Sequence, residues 1–442
     1  MRTRRRWWVP PRVGGGGRVG WRGRRGRVAG ALVALVAGAV AVFLGVVAAL
    51  PSPSPTYGVL DADPAHLVTD HRAGIRLAVV GLAWDRWEPH PGVVDHHYRA
   101  REVATVHRYR AAGYQVAVDI GLQSPPHWVL ARPGGRLVDQ FGNRSDTANF
   151  EFSRAVQQAA SGYIHGVVAA LGPVTYYRVG LSGAGETLYP EAPKNNWWAF
   201  GPLAQGRRGG RPPGVGPTPL PGWVPGRATY RGHPVTRAEV ASWYRWYLGA
   251  LVSAHAWEIT QYRVAGFRGT LQLVMPGTGA QPWWYHKRLA ADLANPSYDP
   301  YHTMNTGAVW PQFLNDLAAK GELGGVIVDI SSVGDGSGSP PNNGCQPGDQ
   351  SVPITSPQIR DWSDTRWLTY LASAHGLSVM GENPGSTPPG QLSEILHLAR
   401  SCNLTALQWA WDNQLYGGKY VSVSQLATAT RTGFEAKLKR LL

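Results

Sequence analysis

The chain reads as an α/β protein, a (β/α)8 TIM barrel preceded by one N-terminal transmembrane helix. Three observations predict this. Short β-rich runs alternate with longer helical stretches over residues 57–442, the pattern that builds parallel sheets. Eight such runs can be found, enough to close a barrel. Residues 29–50 contain neither a charge nor a proline over 22 positions, long enough to cross a hydrocarbon core of ~30 Å as a helix.

The first element is a basic tail over residues 1–28, expected to be cytoplasmic. The whole chain carries 43 Lys+Arg against 28 Asp+Glu, a formal net charge of +15, which at first suggests a nucleic-acid binder. Ten of those charges (Arg2, Arg4, Arg5, Arg6, Arg12, Arg18, Arg22, Arg24, Arg25 and Arg27) lie ahead of Ala29 with no acid among them, leaving +5 for the rest. The basic character therefore belongs to the tail, and nucleic acid is not an expected partner. Arginines ahead of an apolar span stay in the cytoplasm, so residues 29–50 read as a signal anchor with everything after Pro51 outside the cell. The expected location is the cell membrane, single-pass. Ala48 and Ala49 leave cleavage open, in which case the protein is secreted.

Residues 51–56, rich in Pro and Ser, form a semi-extended linker. The predicted strands are 57–60, 75–81, 115–121, 176–181, 270–275, 325–330, 377–381 and 406–411. Predicted helices lie at 98–112, 152–171, 237–262, 310–320, 364–375, 391–402 and 423–441, with a short first helix around 64–72. Two insertions interrupt the alternation near 201–234 and 335–357. The first, rich in Gly, Pro and Arg, reads either as a disordered excursion or as a loop shaping a cleft. The chain has only two cysteines, Cys345 and Cys402. In an oxidising compartment they are a disulfide candidate, and neither has the spacing of a metal site, so no metal and no cofactor is expected.

The chemistry lies at the strand ends. Glu186, in TYYRVGLSGAGETLYP, follows the fourth run; Glu382, in GLSVMGENPG, follows the seventh. In a (β/α)8 barrel both ends open on the C-terminal face, where the active sites of this fold sit. Each glutamate follows a glycine, Gly185 or Gly381, which permits tight backbone geometry beside a ligand. Cleavage of a glycosidic bond needs one carboxylic acid to protonate the departing oxygen and one carboxylate to attack carbon or activate water. Sugar rings have apolar faces that stack on indole, and the chain has 19 tryptophans. Trp128, Trp409 and Trp411 fall at or beyond strand ends. Asp85, Asp119, His127, Asn383 and Asp412 fall there too, and each is a candidate to hydrogen-bond sugar hydroxyls. Glu88 reads as a turn residue. Sequons occur at Asn143 and Asn403.

The segments VVGLAWDRWEPHPGVVD and GYQVAVDIGLQSPPHWVL resemble the second and third barrel strands of the glycoside-hydrolase clan that includes family 42 β-galactosidases. There a tryptophan and an "EP-x-G" turn follow one strand and a "PP-x-W" turn the next. YRVGLSGAGETLYPEAP is more similar to the fourth strand of β-amylases, where "GPAGELRYP" carries the general acid, and FGNRSDTAN resembles the loop before it. The resemblance implies Glu186 as general acid/base and Glu382, in GENPG, as nucleophile or base. The β-galactosidase clan places asparagine before its acid where this chain has Gly185, so the resemblance does not carry over that clan's contact to the sugar 2-hydroxyl. Retention and inversion both stay open, because the separation of the carboxyl groups decides between them.

The expectation is a membrane-tethered extracellular glycoside hydrolase acting on an oligosaccharide or polysaccharide. The alternatives are a catalytically silent carbohydrate-binding barrel at the cell surface, and a barrel of different chemistry. No Rossmann, P-loop or HExxH signature points to nucleotide or zinc.

Overall fold

In the computed structural model the described residues are 54–438, apart from 191–194, 208, 295–301 and 340–342. The tail at 1–28 and the segment 29–50, expected to span a membrane, lie outside them, as do residues 51–53 of the linker. Among the described residues no helix is long and apolar enough to cross a membrane.

Eight parallel strands close the barrel: β1 Thr56–Val59, β2 Leu77–Gly81, β3 Gln115–Asp119, β4 Tyr176–Val179, β5 Thr270–Met275, β6 Val326–Ile330, β7 Val379–Glu382 and β8 Ala406–Trp409. Each pairs with the next in sequence, and β1 pairs with β8. The outer helices are α1 Leu67–Ala73, α2 His96–Ala111, α3 Arg154–Leu171, α4 Arg237–Val264, α5 Trp310–Ala319, α6 Asp364–Ala374, α7 Leu392–Ser401 and α8 Val423–Leu438. Their starts follow local chemistry. Asp95 caps α2, Ser153 caps α3, and Thr236 with Glu239 forms a reciprocal capping box that opens α4.

Strand parity sorts the core into two parts. Leu77, Val79, Ala117, Ile327, Met380, Ala406 and Ala410 pack together inside the barrel against Tyr176. Alternate residues such as Val116, Val118, Tyr177, Val179, Leu271, Leu273, Val328, Leu407 and Trp409 belong to the larger core between sheet and helices. The same parity turns Arg178 of β4, Gln272 of β5, Asp329 of β6, Glu382 of β7 and Gln408 of β8 inward, and all five are buried.

Several predicted strands run past the observed ends because the chain turns there. After β4, the N–H groups of Leu181 and Ser182 both donate to Glu186 O, folding the segment back on itself. β7, in contrast, includes Glu382. Elements not anticipated include a hairpin of Arg136–Val138 with Arg144–Ala148, a short one of Thr229–Tyr230 with His233–Pro234, a helix at Pro282–Ala290, and the one-turn helices Trp84–Trp87 and His127–Leu130. The end of the last predicted helix, beyond residue 438, lies outside the described residues.

The described part of the first insertion packs as a loop on α4. Trp223 is buried with its ring centroid 5.7 Å from that of Trp243, and Trp246 Nε1 donates to Gly216 O at 2.9 Å. The second is fastened to α7 by a Cys345–Cys402 disulfide and to α6 by a two-pronged Arg366–Asp349 ion pair at 2.6 and 2.9 Å.

Candidate active site

Glu186 sits at the end of a turn whose shape only glycine permits. A Cβ on Gly180 would lie 2.0 Å from Gly185 O, and Gly185 has φ +72° with any Cβ 3.2 Å from Asp119 Oδ2. Ser182 Oγ accepts from the Glu186 N–H at 3.1 Å, and Gly185 N–H donates to Ser182 O at 2.9 Å. Beyond the turn Thr187 crosses to β5, its N–H and hydroxyl both donating to Val274 O. From α4 the fully buried Glu258 accepts from the Gly180 N–H. Burial pushes the Glu258 carboxyl well above the usual carboxylate range, and its hydrogen bond with the Gly180 N–H clamps the root of this turn.

The carboxylate of Glu186 reaches across β5 to β6. Ser331, the residue after β6, donates its hydroxyl to Glu186 Oε1 at 2.7 Å. Ile330 pairs with Gly381 in the sheet, and Val333 N–H donates to Glu382 O at 2.8 Å, so the chain holding Ser331 runs directly beside the end of β7. Through Ser331 at the end of β6, Glu186 thus comes to the same barrel mouth as Glu382 at the end of the neighbouring β7.

Glu382 is buried and paired with a cation. Arg178 Nη1 lies 2.7 Å from Glu382 Oε1 and 3.3 Å from Asp329 Oδ2, and its Nε lies 3.9 Å from Asp119 Oδ2. Burial opposes the charge of the guanidinium, but the three carboxyl groups more than offset this and hold its pKa above the usual arginine value. Asp329 feels the opposite balance. Burial first, then the neighbouring Glu382, push it well above the ordinary range against the pull of Arg178, and it also accepts from Gln408 Nε2 at 2.9 Å. One buried cation thus stands among three acids, closest to Glu382.

Asp119, at the end of β3, accepts from Gln123 Nε2 at 3.0 Å and joins this group from the opposite side. Asp61, one residue beyond Leu60 and in a left-handed conformation (φ 49°), stands at the same mouth. Its pKa is raised by partial burial and by the charges of Asp119 and Glu382, with Arg178 acting in the other direction.

The remaining sequence candidates divide. Trp411 is 40% exposed and lies over Gly385, where a Cβ would come within 2.6 Å of its ring, so it is available beside the loop after Glu382. Trp128, half-buried, stands edge-on to Trp84 and donates Nε1 to Glu88 O at 3.0 Å. Asp85, in the one-turn helix Trp84–Trp87 after β2, and His127, which opens the one-turn helix His127–Leu130 after β3, are exposed. Three candidates have other work. Trp409 faces the helices by strand parity and is 1% exposed, so it offers no platform at the mouth. Asn383 is buried, with Oδ1 accepting from Ala410 N–H at 2.7 Å and Nδ2 donating to Thr387 Oγ1 at 2.7 Å, which joins the loops after β7 and β8. Asp412, fully buried, accepts from Asp63 N–H at 2.7 Å and pairs with His66 Nδ1 at 3.2 Å. Asp61, Arg178, Asp329, Ser331 and Gln408 are the members that sequence reasoning missed. A charged or amide residue at inward parity within an apolar strand is the signal that marks Arg178, Asp329 and Gln408.

No protein-family model matches this chain, and no curated protein matches it. Among solved structures, the catalytic domain of the β-amylase from Paenibacillus polymyxa is similar over 85% of this chain and 98% of its own, with a TM-score of 0.55 and 11% identity. The likeness is one of fold. The β-galactosidases from the psychrophilic Marinomonas ef1 and from Bacillus circulans sp. alkalophilus match 85% and 86% of this chain with TM-scores of 0.50 and 0.51, at 10% and 11% identity. The chain spans 59% and 56% of the length of those two β-galactosidases. The closed barrel resembles those of a β-amylase and of β-galactosidases, the two groups that the strand-end motifs resemble.

Proposed function

We propose that this chain is a glycoside hydrolase in which Glu186 is the general acid/base and Glu382 the carboxylate that attacks the anomeric carbon or activates water. The observation that carries the reading is that two glutamates stand at one barrel mouth, Glu186 accepting from the hydroxyl of Ser331 and Glu382 lying against the buried Arg178. Two carboxyl groups facing one cleft are the pair that glycosidic cleavage requires, and Arg178 sets a fixed positive charge against Glu382. Trp411 and Trp128 offer indole faces for sugar rings, with Asp61, Asp119, Asp85 and His127 placed for hydroxyl groups. The solved β-amylase and β-galactosidases named above support a carbohydrate substrate by analogy of fold.

The reading extends to location. Residues 29–50 anchor the chain in the membrane, with the ten arginines before them in the cytoplasm and the barrel on the outer side.

The test is sugar release by the full-length chain from a broad panel of oligosaccharides and polysaccharides, with Glu186→Gln alongside. Release by the unsubstituted chain and its loss in the variant supports the proposal, and the anomer first released then decides between retention and inversion. Binding of sugar without release, unchanged in the variant, replaces it with a silent carbohydrate-binding barrel.

A further inference from the structure

A second feature of the barrel face bears on which sugar is recognised. The connection from β3 to α3 and the segment after residue 200 enclose an open groove of about 410 Å3. Both segments leave the C-terminal ends of strands, so the groove opens on the face that carries Glu186. Its size falls within the range of small-molecule sites, roughly 300–1,000 Å3.

Its lining is charged in one sense. Arg132, Arg136 and Arg144 contribute to it, with the imidazole of His127 beside them, and among the described residues no carboxylate does. Asp139, next to Val138, is buried and turned to Phe141 N–H and to Asn143 N–H and Nδ2. Asp146 pairs with Arg136 Nη1 at 3.1 Å while standing fully exposed, and Arg136 also donates to Ser145 O at 2.6 Å. Arg136 is thereby fixed in place by partners that neutralise only one of three guanidinium charges. Arg132 lies over the indole of Trp128, 5.0 Å from the ring centroid, which orients its planar fork beside an aromatic surface. Arg144 is exposed at the tip of the hairpin. Val138 and Leu203 add apolar surface to the same groove.

An apolar wall beside oriented guanidinium forks suits a ring that carries an anionic group. Guanidinium matches carboxylate or sulfate geometry with paired hydrogen bonds, and a neutral sugar makes no use of an excess of positive charge. We propose that this groove is a subsite for an anionic sugar unit, so that the substrate is an acidic oligosaccharide or polysaccharide. The inference rests on the hydrolase reading for its place along the substrate, but binding in the groove can be measured without turnover.

The experiment uses the full-length chain carrying Glu186→Gln, titrated calorimetrically with tetrasaccharides of three kinds: hexuronates, sulfated hexoses and unmodified neutral hexoses. An acidic tetramer is expected to bind at least tenfold more tightly than the neutral ones. That ratio is expected to fall tenfold or more on adding Arg132→Gln and Arg144→Gln, with the melting temperature unchanged. Raising the ionic strength is expected to weaken acidic binding alone, a readout that does not depend on the substituted chain folding. Whether hexuronate or sulfated hexose gains identifies the anionic group. Equal affinity for acidic and neutral tetramers, or an acidic preference that survives both substitutions and added salt, overturns the proposal. Acidic tetramers that bind but are never cut by the unsubstituted chain remove the hydrolase reading and leave the subsite standing; neutral sugars cut with no acidic preference do the reverse.

Discussion

Arg178 Nη1 lies 2.7 Å from Glu382 Oε1, buried within the barrel at the level where its interior turns from apolar to polar. A buried ion pair adds little to stability when intact, but removing one partner strands the other charge, at a cost of about 3–5 kcal/mol. Arg178→Met is therefore expected to lower the free energy of unfolding by that order, with a lower denaturation midpoint, and to abolish turnover. Arg178→Lys keeps the charge without the fork, and is expected to fall between the two. Chemical denaturation of the three chains checks this; a midpoint unaltered in Arg178→Met would remove the pair from the account.

Ser331 contributes one hydrogen bond to Glu186, and a single such bond contributes about 1 kcal/mol. Ser331→Ala is expected to reduce kcat about fivefold, the rate equivalent of ~1 kcal/mol, while KM changes less than about twofold. Steady-state kinetics on whichever substrate the panel identifies separates the two. A rise in KM alone would make Ser331 a substrate contact instead.

The eight strands were legible because a parallel sheet covered on both sides needs continuous apolar runs, and such runs stand out against polar helix faces and Gly/Pro-rich loops. That continuity also hid much of the site. Arg178 in TYYRVGL, Asp329 in GVIVDI and Gln408 in ALQWAW each interrupt an apolar run by one inward residue, and a single polar position does not disturb the strand pattern. Glu186 and Glu382 were legible because they follow their runs at the mouth. Trp409 was misjudged because proximity to a strand end was weighed without parity; two residues later, where the strand has ended, Trp411 is at the surface. Asn383 and Asp412 are at strand ends, but loop-to-loop hydrogen bonds that local sequence does not specify occupy both.

Glu151 offers a pH signature outside the site. Burial raises its pKa to about 8, against partial compensation by two backbone N–H groups, and Oε2 has no hydrogen-bond partner. A carboxyl whose pKa is raised in the folded chain is bound to its proton there while the unfolded chain has released it. Its contribution is favourable below the unfolded value near 4.5 and is lost as pH rises towards 8, by at most about 1.4 kcal/mol per pH unit. Glu151→Gln, which stays neutral, is expected to gain melting temperature relative to the parent chain as pH rises from 5 to 8. A difference independent of pH would show that Glu151 is ionised in the folded state.

The Cys345–Cys402 disulfide closes a loop with a sequence separation of 57 residues. On chain-entropy grounds a loop of that length corresponds to about 4 kcal/mol. Reduction, or a Cys345→Ser/Cys402→Ser chain, is expected to lower the denaturation midpoint accordingly. Circular dichroism under denaturant, with and without reductant, measures it; no change would mean that the insertion is held by the Arg366–Asp349 pair and its packing alone.

The proposed division of labour between Glu186 and Glu382 is open to a direct test by leaving-group dependence. On aryl glycosides of the sugar that the panel identifies, Glu382→Gln is expected to lose turnover whatever the leaving group. Glu186→Gln is expected to lose roughly 10²–10⁴-fold on poor leaving groups, the usual worth of general acid catalysis, and little on a dinitrophenolate that departs without a proton. Equal losses on both leaving groups in Glu186→Gln, or full activity in Glu382→Gln, would contradict it.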